Sequence, residues 1–326
     1  MRPAFSVILL TTLIGAGQGL FLALFTAQSY ALFDLLPVQD NVAFYAHGSL
    51  LALVLLIAGL ASSFFHLGRP ERAWRSAAQW RTSWLSREVI VLPAFMAMVL
   101  AYGAAHYANW HPLLATLPSG AAIDATVAIG VVAWVLAFAL YVCTAMIYAC
   151  LPFLREWHSP LTVFNYILLG GASGFTLAAA FANVAAPDLT RFFAGWAFII
   201  TVLGFASRVA SLMRNAKLRP GSTLQTAIGI KHPRIAQKSQ GFTGGSFNTM
   251  EFFHGRSNFF LRSIRWLFLL GAFLVPGVLL AVVLSGHAAG MLPGAFAVQF
   301  AGLLAERWFF FAQANHPQNL YYQAVS

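Results

Sequence analysis

Composition and hydropathy predict an all-α integral membrane protein: a bundle of eight transmembrane helices in one domain, residues 1–326, with a long cytoplasmic loop between helices six and seven. Of the 326 residues 60% are hydrophobic, only 9% are charged, and mean hydropathy is +0.74. Too few polar groups exist to clothe a soluble globule of that size. Apolar runs of about twenty residues recur along the chain, the length at which a helix crosses a hydrocarbon layer of roughly 30 Å. The runs are continuously apolar and lack the alternation of barrel strands, and each helix satisfies its own backbone hydrogen bonds.

The first span, 5–33, follows Arg2, but its apolar core exceeds the roughly 7–15 residues of a signal peptide, so it is expected to remain as a span. The second, 42–65, stops at His66, Gly68 and Pro70, a helix-ending signature. The third, 88–106, opens after Ser86 as the expected N-cap, with Glu88 in the first turn and Pro93 inside. The fourth, 123–151, carries Cys143 and Cys150 on one helix, where they cannot pair and read as small packing residues. Spans five and six are 161–185 and 193–213. A polar insertion follows, 214–260, whose Gly241, Gly244, Gly245 and Gly255 alternate with Phe242, Phe247, Phe252 and Phe253. It reads either as an ordered surface platform or as a loop whose phenylalanines dip into the interface. The seventh span, 261–284, contains Pro276; the eighth, 291–311, ends in Glu306, Arg307, Trp308 and three phenylalanines. The Glu306–Arg307 pair is expected to neutralise itself, to pair across helices, or to face the quinone pocket.

Basic residues concentrate in alternate connectors. Arg69, Arg72, Arg75, Arg81 and Arg87 share the second-to-third connector, Arg155 the fourth-to-fifth, and Arg214, Lys217, Arg219, Lys231, Arg234, Lys238, Arg256 and Arg262 the sixth-to-seventh. Only Arg191 falls on the opposite side, which instead carries Asp34, Asp40, Asp124 and Asp188. The positive-inside rule makes the basic face and both termini cytoplasmic. The net charge of +10 therefore follows from topology and lipid contact, and needs no nucleic acid.

The segment FHLGRPERAWRSAAQWRTSWLSRE, residues 65–88, gathers His66, Glu88 and the five arginines at one membrane face. Interconverting quinone and quinol moves two protons with two electrons, so groups that exchange protons are needed beside the ring, and His66 and Glu88 suit that task. Arg69 and Arg87 are candidates to hold the carboxylate ionised or orient a quinone carbonyl. Arg72, Arg75 and Arg81 are candidates for docking a soluble partner. The competing reading makes Glu88 a complement to the helix dipole and His66 a cap for a terminal carbonyl. Trp74, Trp80 and Trp84 fit an interfacial aromatic belt or a stacking surface for the ring.

His47 and His106 stand at the outer ends of spans two and three and could hold a haem b, but the second such pair of a dihaem quinol oxidase is missing. No clustered cysteines provide an iron–sulfur centre or a metal site, so electrons must arrive or leave through another subunit. An anion transporter would need broken helices or inverted repeats, and neither is evident.

FHLGRPERAW, RTSWLSRE, SQGFTGGSFNTMEFFHG and ERWFFFAQ resemble the DmsC family of eight-helix membrane anchors, over nearly the whole chain. The resemblance implies a bacterial inner-membrane subunit that binds menaquinone or ubiquinone, with no haem, beside a molybdopterin catalytic subunit and a ferredoxin-like iron–sulfur subunit. It implicates the histidine of FHLG and the glutamate of SWLSRE, here His66 and Glu88, in quinone binding. Within the family, the opening MRPAFSVILLTTLIGAGQGL and the long loop look most like anchors of sulfite dehydrogenases. The expected role is then to pass electrons from sulfite oxidation to quinone, with no part in the molybdenum half-reaction. The alternative is a quinol-oxidising anchor of a dimethyl sulfoxide reductase.

Overall fold

The computed structural model describes residues 5–65, 67–118, 120–219, 221–235 and 258–314. In chain order the helices are α1 (Phe5–Leu32), α2 (His47–Phe64), α3 (Trp84–Tyr107), α4 (Ala125–Ala149), α5 (Pro160–Ala185), α6 (Thr190–Ala216), the short α7 (Leu224–Ile228), α8 (Asn258–Leu269), α9 (Val275–Leu284) and α10 (Leu292–Ala312). A π-wound turn, Asn41–Ala46, leads into α2, and another, Leu270–Leu274, joins α8 to α9 just before Pro276. Eight stretches among the described residues are long and apolar enough to cross a bilayer. The chain is thus an all-α, multi-pass membrane protein.

Helix α1 is the axis of the bundle, with Leu20, Phe21, Ala23 and Leu24 fully enclosed. It crosses α5 at glycines. A Cβ on Gly19 would lie 2.4 Å from the carbonyl oxygen of Gly170, and one on Gly174 would lie 2.2 Å from the carbonyl carbon of Gly19. Gly15 and Gly19 on α1 and Gly170 and Gly174 on α5 are each spaced by four, the small-residue pattern that lets membrane helices approach backbone to backbone. Buried polar groups tie α1 to α4 at the same level: Gln18 donates to the Ala137 carbonyl at 2.9 Å, and the Tyr141 hydroxyl donates to the Gly15 carbonyl at 3.0 Å. On the other side, Phe21 meets Phe95 and Tyr102 of α3 edge-on, at ring distances of 5.6 and 5.3 Å.

The arginine-rich connector is itself partly ordered: Pro70–Gln79 winds as a 3₁₀ helix with no buried residue. The third-to-fourth connector holds a small antiparallel pair, Leu113–Thr116 with Ala122–Asp124, which composition gives no reason to expect. Strands of four and three residues are too short for a readable period. Of the insertion expected as a surface platform, residues 236–257 lie outside the described residues.

Candidate functional site

The decisive residue is Glu88. Ser83, not the expected Ser86, caps α3, its hydroxyl accepting from the Ser86 N–H at 3.4 Å. The helix therefore begins at Trp84, four residues ahead of the expected 88–106 span, because the extended Ser83 supplies the cap. Glu88 lies beyond the first turn, where the dipole effect has largely faded. Its carboxylate turns into the bundle, is 8% exposed, and accepts a hydrogen bond from the Thr144 hydroxyl of α4 at 2.5 Å.

Glu88 and Thr144 line a crevice with about 420 Å³ of unfilled space between α1, α3, α4, α5 and α10. Its wall is unusually polar for a membrane interior: Thr11, Thr12 and Gln18 from α1, Tyr141 from α4, Tyr166 and Ser173 from α5, Arg307 from α10. The crevice is tight, with room for about one water between its side chains.

Beside it sits a buried charge cluster. Glu306 of α10 receives Arg208 of α6 at 2.7 Å, both side chains 1% exposed, and Arg307 approaches its other oxygen at 3.4 Å. The Arg307 guanidinium stacks 3.9 Å above the Tyr166 ring, and that of Arg208 lies 5.4 Å from the Phe268 ring centre. Of the options expected for Glu306 and Arg307, mutual neutralisation and pairing across helices occur together, and Arg307 also borders the crevice. The partner across the helices, Arg208, is not a residue the sequence singles out, although a signal for it exists. Among the described acidic residues only Glu88 and Glu306 lie inside the long helices. An arginine within a span needs a carboxylate at its own depth, so the choice is narrow.

The connector arginines are arranged differently from one another. Arg87 donates to the carbonyls of Trp80 at 3.0 Å and Arg81 at 2.7 Å, and its guanidinium covers the Trp84 ring at 4.2 Å. Its charge thus fastens the connector to the start of α3, and it forms no ion pair with Glu88 among the described residues. Arg69 is exposed. Arg72, Arg75 and Arg81 line the rest of the connector; Arg75 and Arg81 lean over Trp74 and Trp80, which are themselves 70% and 54% exposed. His66 lies outside the described residues. Nearby, Arg214 donates to the carbonyls of Arg155 and His158, and Arg155 donates to that of Arg219, lacing the fourth-to-fifth connector to the loop after α6.

At the other end of the bundle, His106 is 1% exposed; its ring stacks on Tyr45 at 4.5 Å, and its Nδ1 lies 3.0 Å from the Asn41 side-chain oxygen. His47, the other candidate haem ligand at this end, is exposed. Asp124 caps α4, accepting from the Val127 N–H at 2.9 Å and the Thr126 hydroxyl at 2.8 Å, and pairs with His111 at 2.9 Å. Partial burial works to raise its pKa, but these three partners prevail and hold the carboxyl below the usual carboxylate range.

A family model described as DMSO reductase anchor subunit (DmsC) matches residues 2–231. Among curated proteins, the chain is 57% identical to a subunit of the sulfite dehydrogenase of Allochromatium vinosum, over 326 residues that cover the whole of both chains.

Proposed function

This chain belongs to the DMSO reductase anchor subunit (DmsC) family, and from that premise we propose that it anchors a sulfite dehydrogenase complex and carries that complex's quinone site. Sulfite is oxidised on a molybdopterin subunit, electrons descend through a ferredoxin-like iron–sulfur subunit, and menaquinone or ubiquinone takes them at the arginine-bearing end of the bundle. The chain itself carries neither haem nor iron–sulfur cluster. It lies in a bacterial inner membrane with its basic face and both termini in the cytoplasm, by the charge asymmetry of its loops.

One observation carries the reading: a carboxylate buried near the basic face, turned into a polar crevice, in a chain of this family. Reducing a quinone adds two electrons and two protons to the ring oxygens. Glu88 supplies protons from its carboxyl group to a ring held beside the connector and is reprotonated after each transfer; His66 and Arg69 belong to the same ring-binding end. Arg87 acts by fixing the start of α3, and with it the position of Glu88. Arg72, Arg75 and Arg81, on and just beyond the 3₁₀ helix, form the docking face for the iron–sulfur subunit.

The test is made on the intact complex purified from native membranes. Sulfite should reduce added quinone, and Glu88→Gln should slow that reaction by about a hundredfold or more, on the scale of losing an acid–base group, with the subunits still co-purifying. Undiminished turnover in the variant would reject the role of Glu88. Quinol-dependent reduction of dimethyl sulfoxide without sulfite oxidation would reverse the direction and favour the reductase reading that the family description suggests.

A further inference from the structure

We propose that the buried Arg208–Glu306–Arg307 cluster is the proton entrance to Glu88, a hydrated path from the basic water face to the crevice. The proposal rests on the quinone reading above and adds to it the route by which protons reach the acid.

Two crevices meet at this cluster. The first is the one Glu88 lines, with Tyr166 and Arg307 on its wall. The second opens beside the fourth-to-fifth connector, with about 220 Å³ of unfilled space, and is lined by Glu156, Ser159, Asn165, Arg208, Arg214 and Gln313 among others. Glu306 joins them, since one of its oxygens faces Arg208 of the second crevice and the other faces Arg307 of the first. Asn165 and Tyr166 are consecutive on α5 and line the two crevices respectively. The sequence of groups from surface to acid is thus Glu156 and Gln313, Asn165 and Arg208, Glu306, Arg307 and Tyr166, then Glu88.

Two polar atoms on the second crevice are enclosed yet make no hydrogen bond within the protein: Arg208 Nη2 and Asn165 Oδ1. Leaving such atoms dry is costly, so water is the natural partner. Each crevice has room for about one water, so bound waters would alternate with these side chains in a single file, and a quinone ring is excluded. Protons hop along such a file, and a carboxylate midway stabilises the passing positive charge between two guanidinium groups that would otherwise repel it. The balance is simple. Each proton enters from water at the basic face, passes along the file and lands on the Glu88 carboxylate, which gives it to a quinone oxygen that has received an electron.

The experiment uses the purified complex with Glu306→Gln and, separately, Tyr166→Phe, which keeps the ring beneath Arg307 and removes only the hydroxyl. Each variant should reduce quinone about tenfold more slowly, a modest acid–base loss, with a larger solvent deuterium isotope effect, an unchanged quinone KM, and unchanged sulfite oxidation with ferricyanide taking electrons from the partner subunits. If Glu306→Gln fails to assemble, Tyr166→Phe decides alone. Wild-type quinone turnover and isotope effect in the assembled variants would overturn the path. Glu88→Gln run alongside separates the two ideas: if it alone stops turnover, the quinone site survives and only the route is wrong, whereas full turnover in all three variants removes both.

Discussion

At the scale of single residues, the described part of the chain gathers interior charge in one place and capping charge in another. Glu88, Arg208, Glu306 and Arg307 are enclosed in the basic half of the bundle, where each either pairs or borders the crevice. A membrane-embedded ion is expensive enough that such a gathering calls for a function. Asp124, outside the spans, is by contrast structural. Its three partners favour the ionised form, so its folded pKa is depressed. The stability it contributes is complete above the unfolded pKa and is lost as pH falls through the lower folded value. Asp124→Ala should cost about 1 kcal/mol at neutral pH, as loss of a helix N-cap does, and should flatten the acid limb of thermal unfolding in detergent. An unchanged melting curve across that range would show that the cap is idle.

At the scale of elements, the α1–α5 crossing sets where everything else stands. Glycines at the contact bring the two backbones together, and the Gln18 and Tyr141 hydrogen bonds then fix α4 against α1 at the level of the crevice. Gly174→Ala puts a methyl group 2.2 Å from backbone that cannot yield, so the helices must part. The expected loss is about 3 kcal/mol or more, the upper range for overpacking, read as a lower midpoint in thermal unfolding and poorer recovery of the complex. Gly277→Ala, where a Cβ meets nothing within 4 Å, is the control and should behave as wild type. The 3₁₀ helix of the connector is the complementary element: no residue of it is buried, and it presents Trp74, Arg72 and Arg75 to whatever docks there.

Across the molecule, the eight spans among the described residues return the chain to the side on which the first begins, and the basic connectors lie on that side. Membrane-impermeant thiol reagents check the orientation. Val38→Cys, at a residue 82% exposed in the first-to-second connector, should label in intact cells, whereas Cys150, exposed at the basic end, should label only after the membrane is opened; the reverse pattern would invert the topology. The class and the eight candidate spans among the described residues are legible in the amino-acid order alone, because hydropathy over a bilayer's thickness is a local property summed along one helix. The charge asymmetry is equally local, and the motif around Glu88 marks one residue of the candidate site. What Glu88 faces, the meeting of Arg208 with Glu306, and the use of the Arg87 charge on backbone carbonyls emerge from packing in three dimensions instead. They depend on how helices distant in the chain rotate and approach one another, and it is the glycine contact between α1 and α5, a matter of tenths of an ångström, that sets the geometry around the crevice.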